Sequence, residues 1–207
     1  MIDDTAAREQ VLEAADRLFY ARGVQSVGMD AVRSDAGISL KRIYSLFPSK
    51  DDLIVAVLHR RRAQWNAGIA ASAENAATAR EKVLSVFDFL DVWFRRPDFH
   101  GCAFINIFGE LSAGSPNVTR AVREQKDGFQ RYLVQLVHDA GAPEVVAAQI
   151  AILVEGAQTT AAIAGHPDAA AHARAAAATL LDAACGAARP PGSDPVSAIE
   201  PAPRRCS

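Results

Sequence analysis

The fold of this chain is decided by the stretch MDAVRSDAGISLKRIYSLFPSKDDL, residues 29–53. Val32 and Ala36 lie four residues apart, as expected for the apolar stripe of a short helix. Gly37 follows and is a turn residue that can adopt positive φ, while Ser39 offers a side-chain cap for a second short helix. Two short helices joined at a glycine in this way are typical of a helix-turn-helix.

The second short helix has the polar side chains that a DNA-contacting helix needs. Ile43 and Phe47 lie one turn apart and are predicted to face inward. Cationic and hydroxyl groups on a helix in the major groove contact base edges and phosphates. The residues of this helix that suit such contacts are Lys41, Arg42, Tyr44 and Ser45. The alternatives are that Lys41 and Arg42 only make the surface soluble and that Tyr44 packs on the first of the two short helices.

These residues resemble the DNA-binding signature of the TetR family of bacterial one-component transcription regulators. The resemblance is carried by Ala36-Gly37-Ile38-Ser39, by Ile43-Tyr44-Ser45-Leu46-Phe47-Pro48-Ser49-Lys50 and by Leu53. It implies that Tyr44 and Lys50 contact phosphates. The predicted DNA-binding set is therefore Ser39, Lys41, Arg42, Tyr44, Ser45 and Lys50.

The charge distribution fits a DNA-binding head, although the whole chain has a formal net charge of -2. Between residues 39 and 62 there are six basic residues and two acidic ones, a local excess of four positive charges. Affinity for nucleic acid depends on such a local patch more than on the total. Within this patch, Arg60, Arg61 and Arg62 are either phosphate contacts or a solvated helix face.

Helix signals follow one another along the whole chain, and they predict an all-α protein. The predicted helix starts lie at Asp4, Ser49, Thr78, Ser115, Pro143 and Pro167. We predict a helix-turn-helix domain over residues 1–48, a larger helical effector-binding and dimerisation domain over 49–188, and a disordered tail over 189–207.

The helical body is rich in aromatic residues, and the family resemblance implies an effector pocket among them. Asn106 and Glu110 lie four apart on one face of an otherwise apolar helix. A buried carboxylate needs a partner, which could be an internal cation such as Arg123 or a polar ligand. The predicted ligand-binding residues are Trp65, Phe87, Trp93, Phe94, Phe104, Phe108, Asn106 and Glu110. We expect a hydrophobic or amphipathic effector.

The last two helices are predicted to form a homodimer face, as the resemblance implies. The residues at helical spacing on this face are Ala148, Ile152, Glu155, Thr159 and Ile163. The alternative is that they belong to the core of a monomer. Residues 145–165 are apolar but are interrupted by Gln149, Glu155 and Gln158, so we expect no membrane span. A two-fold dimer predicts a palindromic operator.

The sequence shows no cofactor, metal or catalytic motif. The three cysteines are odd in number and widely spaced, and His100 with Cys102 would make an incomplete metal site. We interpret Cys102 as a small buried side chain and expect a cytosolic protein. The predicted function is that of a DNA-binding repressor released by a small molecule. The alternative is a helical enzyme or small-molecule-binding protein that uses the aromatic cavity.

Overall fold

The computed structural model describes residues 3–187, and this part of the chain forms nine helices without a strand. The all-α class predicted from the sequence is confirmed. The helices are α1 (Asp4–Arg22), α2 (Met29–Ala36), α3 (Leu40–Leu46), α4 (Lys50–Ala73), α5 (Ala79–Phe94), α6 (Ala103–Leu111), α7 (Pro116–Asp139), α8 (Glu144–Ala164) and α9 (Ala169–Ala187). The predicted tail over 189–207 lies outside the described residues.

Side-chain caps fix the beginnings of the long helices where the sequence predicted them. The Ser49 hydroxyl accepts the backbone N–H of Asp52 at 3.1 Å, and Thr78 forms a reciprocal capping box with Glu81. Ser115 caps α7, which has proline at its first position. Two predicted starts are wrong by one or two residues: Asp3 caps α1 in place of Asp4, and α9 begins two residues after Pro167.

The helix-turn-helix is built by α2 and α3. Gly37 ends α2 with φ of +65°, in the left-handed region that favours glycine. The Ser39 hydroxyl accepts the backbone N–H of Arg42 at 3.3 Å and so begins α3. Ile43 and Phe47 are fully buried, as their spacing predicted. Because these two side chains are buried, the opposite side of α3 is the one exposed to solvent.

Two hydrophobic cores hold the helices together. The first joins α1, α2, α3 and the beginning of α4, and it continues into Phe104 and Ile107 of α6 and Val118 and Val122 of α7. The second is formed by α5, α7, α8, α9 and the far part of α4. Because the first core includes α6 and α7, the head is packed firmly on the body. The predicted domain boundary after residue 48 stays a prediction.

Among residues 3–187, α8 is long and apolar enough to cross a membrane by length and composition alone. It packs against α7 and α9 through Val146, Ile150 and Val154, which are buried. Its opposite face exposes Val145, Ile152 and Ile163. An apolar helix that is buried on one side and open on the other is also what a helical interface requires.

Candidate nucleic-acid interface and ligand cavity

The outer face of α3 brings together three of the predicted DNA-binding residues. Lys41, Tyr44 and Ser45 are exposed and lie three and four residues apart, so they share one side of the helix. The exposed fraction of Tyr44 is 45%. The Ser45 hydroxyl donates to the Arg42 carbonyl at 2.7 Å. This face presents an ammonium and a phenol, which are groups that can contact phosphates and base edges.

Ser39 and Arg42 have structural roles in the same region. Ser39 caps α3, and the Arg42 guanidinium forms an ion pair with Asp4 at the beginning of α1. Arg8 also fastens α3 to α1, because its guanidinium lies 4.2 Å from the centre of the Phe47 ring and donates to the Leu46 carbonyl at 3.0 Å. A DNA contact by Arg42 would require it to exchange Asp4 for a phosphate or a base.

Lys50 does not lie with the outer residues of α3. Its Nζ donates to the Val24 carbonyl at 2.7 Å and lies 5.9 Å from the centre of the Phe19 ring. Burial lowers the pKa of Lys50 below its ordinary value, and Glu110 opposes that shift. In this position Lys50 ties the beginning of α4 to the loop after α1, and its role as a phosphate contact stays a prediction.

In the structure, Arg60 and Arg61 are neither free for phosphate contacts nor part of a solvated helix face, the two alternatives that the sequence left open. Arg60 forms an ion pair with Glu9, and Arg61 forms one with Asp16, so both join α4 to α1. The Arg61 guanidinium also lies 3.8 Å from the centre of the Tyr20 ring. Both side chains are largely withdrawn from solvent. Such partly buried pairs hold the relative position of the two helices more effectively than exposed pairs do.

A cavity of about 440 Å³ lies between α1, α4, α5 and α6. This size is in the range of small-molecule sites. One wall is aromatic: Trp65 packs edge-to-face on Phe89 and on Trp93, with ring centroids 5.2 and 5.6 Å apart. The cavity is lined by Asp16, Tyr20, Arg61, Gln64, Trp65, Phe89, Val92, Trp93, Arg96, Asp98, Cys102, Ala103 and Phe104.

The opposite wall is polar and belongs partly to the DNA-binding head. The Tyr20 hydroxyl donates to the Gly101 carbonyl at 2.8 Å and accepts the backbone N–H of His100 at 3.0 Å. Burial raises the pKa of Tyr20, so the phenol stays protonated. Arg96 pairs with Asp98 at 2.9 Å and lowers the pKa of that carboxyl. An occupant of the cavity would touch α1 directly through Asp16 and Tyr20.

The structure places three of the eight predicted ligand-binding residues on the cavity wall, namely Trp65, Trp93 and Phe104. Phe87 and Phe94 are buried in the second core instead. Phe108 is 37% exposed and does not line the cavity. These three residues do not line the cavity, because helical spacing identifies an apolar stripe without showing which part of it faces a void.

Asn106 and Glu110 also lie outside this cavity and have structural partners. The Asn106 amide donates to the His100 carbonyl at 2.9 Å. The Glu110 carboxylate accepts the backbone N–H of Gln25 at 2.8 Å, and the Gln25 amide donates back to the Glu110 carbonyl at 2.6 Å. The partner of Glu110 is thus the loop after α1 and not Arg123. Both residues stay beside a smaller recess of about 160 Å³, between α1 and α6.

Sequence reasoning missed the contribution of α1 to the cavity. Asp16 and Tyr20 lie four apart and share a face of that helix, which was a detectable signal. Their partner Arg61 lies 45 residues beyond Asp16, and nothing in the sequence pairs the two. Cys102 is buried as predicted, and burial raises the pKa of its thiol. No group of three or more metal-ligating side chains occurs in the described part of the chain.

Gly68 of α4 allows the aromatic wall to form. A Cβ atom at this position would lie 2.3 Å from Cε2 of Phe89. We expect Gly68→Ala to displace the Phe89 ring, destabilise the protein by about 1–3 kcal/mol and shift the fluorescence of Trp65, which packs on that ring. Thermal unfolding and tryptophan emission measure the two effects.

Gly109→Ala is the matched control for Gly68→Ala. Gly109 is helical too, and a Cβ there would meet nothing within 4 Å. The control should leave the emission unchanged and stabilise α6 by a few tenths of a kcal/mol up to about 1 kcal/mol. Equal emission spectra and melting temperatures for the two variants would contradict the assigned role of Gly68.

The head has helix-turn-helix geometry, and its α3 exposes cationic and hydroxyl groups. A head of this kind in front of a helical body is typical of helix-turn-helix DNA-binding proteins. The sequence profile described as "Bacterial regulatory proteins, tetR family" matches residues 11–57. A solved TetR-type transcriptional regulator from Streptomyces avermitilis is 32% identical and superposes with a TM-score of 0.75, covering 86% of this chain and 98% of that one. The chain belongs to the TetR family of bacterial regulatory proteins.

Other relatives agree with this assignment. A TetR-family transcriptional regulator from Streptomyces coelicolor has a TM-score of 0.80 and 27% identity, over 86% of this chain and 95% of that one. The HTH-type transcriptional activator FasR of Mycolicibacterium smegmatis is 34% identical over 88 residues, which are 41% of this chain and 40% of that protein. The chain thus matches about two fifths of the length of such curated relatives.

Proposed function

We propose that this protein is a homodimeric repressor in the cytosol that binds a palindromic operator through α3 and releases it when a small molecule enters the cavity. The observation that carries the proposal is the composition of the cavity wall. Asp16 and Tyr20 belong to the DNA-binding head, whereas Trp65 and Trp93 belong to the body. A hydrophobic or amphipathic ligand at this site would contact both units at once.

The ion pair between Arg61 and Asp16 supports a mechanism for this release. The pair joins α4 to α1 and lines the cavity, so a ligand would press on the contact that holds the head. The beginning of α4 is fixed to the head by Lys50, and a displaced α4 would therefore tilt α3. A ligand shifts such an equilibrium only by its differential affinity, and a swing from 1:99 to 99:1 needs about 5.5 kcal/mol.

The role we propose for the cavity is binding and not catalysis. Its four charged side chains form two ion pairs, Arg61 with Asp16 and Arg96 with Asp98. Paired charges of this kind position helices, whereas general acids and bases need a proton-transfer partner within reach of a substrate. The pairs support a regulator in preference to the alternative of a helical enzyme.

Dimerisation is supported by the open face of α8. Ile152 is 71% exposed and Ile163 is 83% exposed, although both are large and apolar. Glu155 and Thr159 lie between them on α8. Together with Ala148 they line a groove that α8 forms with Ile105 of α6 and with α7. Two copies joined there by two-fold symmetry would present two α3 helices to DNA, about 34 Å apart or a multiple of this distance.

The proposal is tested by selecting fragments of the source genome with the purified full chain at two salt concentrations. Enrichment of a palindrome that persists at the higher salt is the expected result, because specific contacts survive where electrostatic ones weaken. Salt-sensitive binding without an enriched motif would contradict operator recognition. Unchanged operator affinity across a broad panel of small molecules would contradict release by an effector.

A further inference from the structure

Three buried polar atoms in a small recess beside the cavity have no hydrogen-bond partner among residues 3–187. They are Nε1 of Trp65, Oε2 of Glu155 and Oε1 of Gln158. All three residues line one recess, which has room for about one water-sized group. A buried polar atom that lacks a partner costs about 1–3 kcal/mol, so three in one place indicate a group that is bound there.

The recess lies beside the effector cavity. Trp65, Cys102 and Phe104 line both spaces, so the two are neighbours across one layer of side chains. Gln158 is only 1% exposed. Its amide Nε2 donates to the Val154 carbonyl at 3.2 Å, and this bond directs Oε1 towards the recess. An occupant of the cavity is therefore separated from Gln158 only by these shared side chains, which would have to move apart to admit a small substituent.

The unpartnered atoms define the hydrogen-bonding character of that substituent. Trp65 Nε1–H is a donor only, so it needs an acceptor, while the oxygens of Glu155 and Gln158 need donors. A hydroxyl group accepts one hydrogen bond and donates another with the same oxygen. An ether or a ketone would satisfy Trp65 alone.

The charge of the recess excludes an ionised substituent. Lys126 Nζ donates to Glu155 Oε1 at 2.7 Å and also lies 3.6 Å from Cys102 Sγ. A carboxylate in the recess would be repelled by Glu155, and an ammonium would be repelled by Lys126. Since the pair already neutralises itself, transfer of a further charge from water would be uncompensated.

We propose that the effector is a neutral aromatic hydroxyl compound, whose ring packs on Trp65, Phe89 and Trp93 and whose hydroxyl enters the recess between Trp65, Glu155 and Gln158. This assignment rests on the proposed function, because it takes the cavity as the effector site. The hydroxyl accepts from Trp65 Nε1–H and donates to Gln158 Oε1. It satisfies groups that a purely apolar ligand leaves unpaired.

The test compares two probes of equal shape, 2-naphthol and 2-methylnaphthalene, by calorimetric titration of the full-length protein. The quantity measured is the ratio of the two dissociation constants, in which general damage to the cavity cancels. Trp65→Phe removes the indole donor, and Gln158→Met removes the amide at similar volume. Each variant should reduce the advantage of the hydroxyl about tenfold, which corresponds to one lost hydrogen bond. Trp93→Phe, on the same wall but away from the recess, should leave the ratio unchanged.

The outcomes separate this inference from the proposed function. If both probes bind but the ratio is the same in wild type and in Trp65→Phe and Gln158→Met, the recess holds only water and the hydroxyl assignment is wrong. Tighter binding of 2-naphthoate than of 2-naphthol would also overturn it. If neither naphthalene binds up to its solubility limit, the assignment of an aromatic hydroxyl effector is wrong, whereas the proposed function is tested separately by operator release across the panel of small molecules.

Discussion

Simultaneous replacement of Lys41 and Tyr44 by alanine should lower operator affinity about a thousandfold. Both side chains are exposed on the outer face of α3. A dimer presents each of them twice, which gives four contacts, and each contact to DNA contributes at least about 1 kcal/mol. Fluorescence anisotropy with the genome fragment selected by the wild-type protein measures the loss.

The control for this double variant is Lys82→Ala. Lys82 lies on α5 and is exposed too, but it is far along the chain from the helix-turn-helix. The Lys82→Ala variant should retain wild-type operator affinity. In the double variant, the loss of Lys41 from both heads should reduce the number of ions released on binding by about two. Full operator affinity in the double variant, with its helix content intact, would show that α3 does not contact DNA.

The architecture of the head could be predicted from the sequence because its signals are local. Gly37, Ser39 and the buried pair Ile43 and Phe47 specify the two short helices and the turn within about a dozen residues. The caps at Thr78 and Ser115 belong to the same category, since each acts on a backbone N–H three residues away.

The cavity could not be predicted to the same extent, because its walls depend on contacts between distant segments. Tyr20 reaches Gly101 across 81 residues, and Gln25 reaches Glu110 across 85. The expected burial of a carboxylate predicts that Glu110 needs a partner, but the sequence does not identify a backbone N–H in a distant loop as that partner. Likewise, Phe104 and Phe108 look equivalent in the sequence, although only Phe104 faces the cavity.

Lys50 illustrates a different limit. A lysine at the beginning of a helix behind the recognition helix fits a phosphate contact, and the sequence contains nothing against it. In the structure its ammonium donates a hydrogen bond to the Val24 carbonyl, which lies in the loop after α1. The choice between the two roles depends on where that loop runs, which is a tertiary property.

Ile152→Asp should convert the dimer into monomers and thereby abolish operator binding at concentrations where the wild-type protein is saturated. The side chain is exposed within the protomer, so the substitution should cost the fold only about 0.5 kcal/mol in helix propensity. Two copies joined through α8 would bury two carboxylates in an apolar surface. Burying a carboxylate without a partner costs several kcal/mol, and a two-fold interface incurs this cost twice, so association is strongly weakened.

Sedimentation velocity and operator titration test this second expectation together. Ala67→Asp is the matched control, because it places the same charge on an exposed position of α4. The control should remain dimeric and bind the operator normally. A single α3 in the monomeric Ile152→Asp variant contacts only one half-site, so its affinity loses the contribution of the second head altogether. If the Ile152→Asp protein is dimeric and keeps full operator affinity, the association face does not lie on α8. If it is monomeric and keeps full affinity, operator binding does not depend on two-fold symmetry.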